Sequence, residues 1–140
     1  MPVKSLKRNF FQRVCGIPAT SKPQSPDCWQ FSAGKLTIDL KKAPELHHPG
    51  GAIRLEGGNL PERILVVHGE DGVFRMFQNR CTHIGHRRLD PVPGTNTVQC
   101  CSVNKSTYDV KGTKIHGPTS RPILAYPVSR EGDKLIGTIS

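Results

Sequence analysis

The chain has 140 residues, 35% of them hydrophobic, with 14 glycines, 12 prolines and a formal net charge of +9. This length suits one domain with a single modest core, and so turn-rich a composition argues for β structure against a helical bundle. No apolar run nears the ~18–20 residues of a membrane span, and the basic residues are not interleaved with stacking aromatics, so no nucleic acid is expected as a partner.

Residues 1–26 carry Lys4, Lys7, Arg8, Arg13 and Lys22 and no acid. Their apolar residues are too interrupted for a secretory signal, and Arg and Ser are too few for a transit segment, so the cytoplasm is the expected compartment. Residues 1–33 are read as a basic arm packed on or preceding the domain, and 34–140 as the domain itself. From Gly34, Leu36, Ile38 and Leu40 alternate with polar residues, the period of a half-buried strand. Residues 43–51 form a Pro/Gly loop in which His47 and His48 are expected at the surface. Ala52 to Leu55 is a short strand. Arg63 to His68 and Val73 to Gln78 read as a hairpin across Gly69-Glu70-Asp71-Gly72. Thr97 to Cys100 is a further strand, and Thr107 to Lys114 another hairpin, turning at Lys111-Gly112. Two last strands, Ile123 to Val128 and Lys134 to Ile139, meet at Glu131-Gly132-Asp133. The expected fold is all-β, an antiparallel sandwich or barrel.

The five cysteines (Cys15, Cys28, Cys81, Cys100 and Cys101) form an odd set without the spacing of a disulfide framework. In a non-secreted chain, Cys clustered with His points to metal. Cys81-Thr82-His83 is a soft-metal ligand pair, a thiolate and an imidazole two residues apart. Cys101-Ser102-Val103-Asn104 should complete the site, but Asn104 stands where a second imidazole is expected.

From about Ala52 to Ile139 the chain resembles a Rieske-type [2Fe–2S] domain. The family's first loop, Cys-x-His-x-Gly, is present as Cys81, His83 and Gly85. On its second loop, Cys-x-x-His-Gly-Ser-x-Phe/Tyr-Asp, fall Cys101, Ser106, Tyr108 and Asp109, while Asn104 replaces His and Lys105 replaces Gly. Gly117-Pro118, Arg121-Pro122 and Leu124-Ala125-Tyr126-Pro127-Val128 match the closing loop and strand. The resemblance implies a small cluster-binding subdomain of two loops, near 81–86 and 100–109. It also implies two thiolates on one iron and two imidazoles on the other, with a potential of about −150 to +300 mV. The loop-bridging disulfide of high-potential members is absent, because its positions hold His86 and Val103.

Four states of the site follow. A [2Fe–2S] cluster can be held by Cys81, His83 and Cys101 with His86 or Cys100 as the fourth ligand, or with Asn104 or a water in that place. Alternatively a single Zn or Fe ion is held by Cys81, His83, His86 and Cys101, or the fold has lost its metal and serves as a structural or docking module. The family places hydroxyls at Ser106 and Tyr108, where they donate to sulfur from outside the ligand set. Asp109 also suits a turn cap beside Lys111-Gly112. Arg80, Arg87, Arg88 and Lys105 would collar the site and steer an acidic redox partner. The expected function is that of a soluble one-electron carrier, ferredoxin-like, without substrate turnover by this chain alone.

Overall fold

The computed structural model describes residues 20–80, 88–92, 94–100, 106–116 and 122–139. In chain order the strands are β1 (Trp29–Ser32), β2 (Lys35–Asp39), β3 (Ala52–Leu55), β4 (Ile64–His68), β5 (Phe74–Gln78) and β6 (Leu89–Pro91). They continue with β7 (Val98–Cys100), β8 (Thr107–Tyr108), β9 (Lys114–His116), β10 (Ala125–Tyr126), β11 (Val128–Glu131) and β12 (Lys134–Thr138). Every pairing among the described residues is antiparallel.

These strands form three four-stranded sheets: β1-β2-β12-β11, β10-β5-β4-β3 and β6-β7-β8-β9. The second sheet is the middle layer, and β4 explains why. Ile64, Leu65, Val66 and Val67 are all buried, although successive strand residues face opposite ways. Ile64, Val66 and Met76 join Leu36, Ile38, Ile53, Leu55 and Leu135 in one apolar cluster. Leu65, Val67 and Phe77 join Leu89, Val98, Cys100, Tyr108 and Ile123 in another. Covering both faces turns a strand that would otherwise alternate into an unbroken apolar run. Each fully buried Leu, Ile or Val contributes about 1.5–3 kcal/mol of burial free energy.

The predicted hairpins over 63–78 and 107–114 form, and Ala52 to Leu55 is a strand as expected. Several boundaries differ. Residues 29–32, grouped with the arm in the sequence, are a strand: Trp29 and Phe31 alternate with exposed Gln30 and Ser32 and pair with β2. Leu40 leaves β2 for a 3-10 turn capped by Asp39, whose Oδ1 accepts from Lys41 N at 3.0 Å. The single strand predicted over 123–128 is two, because Pro127 has no N–H to continue a ladder. β10 pairs with β5 in the middle sheet, whereas β11 pairs with β12 in the first. Leu89–Pro91, for which no strand is predicted, is the edge strand β6.

The described end of the arm lies on the domain. Arg54 N donates to Ser21 O at 3.0 Å, and Thr20 N donates to the buried carboxylate of Asp90 at 2.8 Å. His47 and His48 are exposed, as expected.

Candidate metal centre

The third sheet carries described residues that flank the two ligand runs. β6 and β7 pair with Leu89 opposite Cys100, and Cys100 N donates to Ser106 O at 2.7 Å. Leu89, Cys100 and Ser106 therefore sit side by side at one end of the sheet. Arg88 closes the first ligand run, and Cys100 and Ser106 bound the second. Antiparallel pairing brings the described residues that flank both runs to the same end of the sheet, which pattern alone could suggest but not establish.

Cys81, His83, His86, Cys101 and Asn104 lie outside the described residues, as do Arg87 and Lys105. Cys100, Ser106 and Tyr108 are described, and all three are fully buried. Cys100 and Tyr108 pack in the apolar cluster between the second and third sheets. Ser106 Oγ is buried and has no hydrogen-bond partner among the described residues. An unpaired buried hydroxyl costs about 1–3 kcal/mol, so such a group requires an explanation. Asp109 takes its turn-cap role: its Oδ1 accepts from Lys111 N at 2.9 Å and from Thr113 N at 3.0 Å.

Electrostatics at this end centre on Glu56, which motif reasoning passed over. Its carboxylate takes a two-pronged hydrogen bond from Arg88, through Nε and, at 3.0 Å, through Nη2, and Arg54 Nη1 lies 3.0 Å away. The Glu56 side chain is only 12% exposed. Burial alone would raise its pKa, but the hydrogen bonds from Arg88 and Arg54 outweigh it and bring it down to about 2. Arg63 is held below the ordinary guanidinium value by burial and then by the neighbouring charges of Arg88 and Arg80. One buried carboxylate thus organises a local excess of arginine beside the first ligand run. The signal for Glu56 was absent locally, since it lies 32 residues from Arg88.

Among the described residues, no group of three or more His, Cys, Asp or Glu side chains could hold a metal ion. None of their helices is long and apolar enough to cross a membrane.

In the comparisons with known proteins, the model of the Rieske [2Fe-2S] domain matches residues 40–127, more than half of the chain. No curated protein matches it. A chain of the complex of reduced oxygenase and oxidized ferredoxin in carbazole 1,9a-dioxygenase is similar over 76% of this chain and 94% of its own, with TM-score 0.58 and 16% identity. The ferredoxin of carbazole 1,9a-dioxygenase from Nocardioides aromaticivorans IC177 is similar over 74% of this chain and 95% of its own, with TM-score 0.54 and 18% identity. The plasma membrane Rieske protein PetC3 from Synechocystis PCC 6803 is similar over 61% and 84%, with TM-score 0.50 and 20% identity. At such identities these likenesses speak for the fold. The family match and the three-layered β fold agree: this chain belongs to the Rieske [2Fe-2S] domain family, whose cofactor is a [2Fe–2S] cluster.

Proposed function

We propose that the chain carries a [2Fe–2S] cluster between its two ligand runs and passes single electrons to or from an acidic protein partner. The observation that carries this reading is the register of Leu89 against Cys100, with Ser106 beside it. Cys81 and Cys101 would hold one iron and His83 the other, with the fourth ligand among His86, Cys100 and Asn104. Cys100 contributes its side chain to the apolar cluster, which favours His86 or Asn104 over it.

The residues present fit the group. Ser106 Oγ is a buried donor without an acceptor among the described residues, which supports a sulfur of the cluster as its acceptor. A bound cluster of this kind supplies a one-electron couple whose potential rises when neutral imidazole takes the place of thiolate. The remaining work falls to the chain. Ser106 donates toward negative charge on sulfur, and burial of Tyr108, Val98 and Leu89 keeps water from the sheet beneath. Arg80 is exposed, and Arg88 and Arg63 are partly so, which presents positive charge to a docking surface. Surfaces of opposite charge raise the encounter rate, and the effect falls with salt. One similar chain belongs to a complex of oxygenase and ferredoxin, which supports a protein as the other half of the transfer.

The test is iron, zinc and acid-labile sulfide content with a visible spectrum, on protein purified without oxygen. About two irons and two sulfides per chain, with colour that bleaches on reduction, is the expected outcome. Zinc alone, or no metal, would overturn it and leave a degenerate Rieske fold acting as a docking module, with Asn104 the mark of a lost ligand.

A further inference from the structure

Asn79 lies two residues before Cys81, where the middle sheet hands the chain to the first ligand run. It is fully buried. Its backbone N donates to Arg63 O at 2.8 Å, which ties it to the entry of β4. Its side-chain Oδ1 accepts from Leu89 N at 2.7 Å. Since Oδ1 must be the acceptor for an N–H, the orientation of the carboxamide is determined, and Nδ2 faces elsewhere. Nδ2 is buried and finds no acceptor among the described residues.

The ladder shows why Leu89 needs this partner. Cys100 spends its N–H on Ser106 of the opposite neighbour, so the Leu89–Cys100 pair exchanges no hydrogen bonds. The Leu89 N–H therefore faces away from β7, on the outer edge of the sheet, yet Leu89 is fully buried. Pro91, which faces the same edge, has no N–H to satisfy. The Asn79 carboxamide thus supplies the acceptor for a buried edge donor. In doing so it joins the residue before the first ligand run to the residue after it.

We propose that Asn79 is a positioning residue of the metal site. Its Oδ1 ties together the two described ends that flank the first ligand run, and its Nδ2 is a second buried donor, in addition to Ser106 Oγ, for the group this run would hold. The inference rests on the proposed cluster only in its second half; the clamp is a property of the chain itself.

The test uses the full chain and two variants, Asn79→Ala and Asn79→Asp. Asp keeps an acceptor at the Oδ1 position and loses the Nδ2 donor. Amide hydrogen exchange at Leu89, read in metal-free protein, should quicken at least tenfold in N79A and stay near wild type in N79D. Amides of β2, β4 and β12 serve as the control for folding. Unchanged exchange at Leu89 in N79A, or equal loss in both variants, would overturn the clamp. If N79A does not fold, N79D decides alone, by protection kept or lost. After reconstitution with iron and sulfide, N79A should retain less than half the wild-type content per chain; full retention would overturn the positioning role. A wild-type protein that takes up no iron would sink the functional reading separately, because the exchange result needs no cluster.

Discussion

The two faces of the middle sheet support different kinds of structure. Toward the first sheet, Ile64, Val66 and Met76 meet Leu36, Ile38, Ile53, Leu55 and Leu135 in an apolar interior. Toward the third sheet, Leu65, Val67 and Phe77 meet Leu89, Val98 and Tyr108, but the same region buries Asn79, Asp90, Gln99, Ser106 and Thr107. The first half is held by area and shape. The second adds directed hydrogen bonds such as Leu89 N to Asn79 Oδ1 and Gln99 Nε2 to Thr107 Oγ1, and it retains unmatched donors. A domain that must hold an inorganic group can separate these tasks, because packing tolerates substitution of similar volume whereas a donor set does not.

The comparison would be broken most directly at the ligands. Cys81→Ser and Cys101→Ser should each abolish iron and sulfide retention while the first and second sheets keep their amide protection. Loss of that protection, read by hydrogen exchange, would show that the two halves do not stand apart. Next in size is the aliphatic half. Leu36→Ala or Ile53→Ala, both at fully buried positions, should lower global stability by about 2–5 kcal/mol in urea unfolding. Metal content per folded chain should be unchanged.

A local effect in the third sheet is expected from Gly112→Ala. Gly112 has φ +85°, and a Cβ there would lie 2.2 Å from Ile123 O, the residue whose N donates back to Gly112 O at 2.9 Å. The cost should be about 1–3 kcal/mol, with exchange quickened in β8 and β9 before β2 and β12. Ser106→Ala sharpens the role of the unmatched hydroxyl. Losing one hydrogen bond worth about 1 kcal/mol to the reduced state lowers a one-electron potential by about 40 mV. An unchanged midpoint in a redox titration would remove Ser106 from the site.

The last effect is acid-dependent. The Glu56 pKa falls from 4.5 to about 2 on folding, so its ionised form favours the folded state. That contribution is full above about pH 4.5 and is lost as pH falls through about 2. Glu56→Gln should therefore flatten the dependence of the urea midpoint on pH across this window, with little slope left to remove above it. A variant with the wild-type slope would show that Arg88 and Arg54 find other partners.

Some of this was legible from residue order. The period of Leu36 and Ile38, the Gly69–Gly72 turn and the Asp109 cap depend on neighbours a few positions apart, and local chemistry reports them faithfully. Trp29–Ser32 was less legible because a basic, proline-bearing segment precedes it, and only pairing with β2 makes it a strand. The split at Pro127 was visible as a residue but not as a change of sheet.

The sequence by itself determined the family, through Cys81, His83, Cys101 and the Ser106–Asp109 frame, since metal-ligand chemistry requires particular atoms at particular spacings. Tertiary structure alone decided that Leu89 would face Cys100, that Arg88 would close on Glu56, and that Asn79 would hold the Leu89 amide. Those contacts join residues 10 to 32 positions apart. Their energy comes from burying donors and charges that local sequence cannot know will leave water.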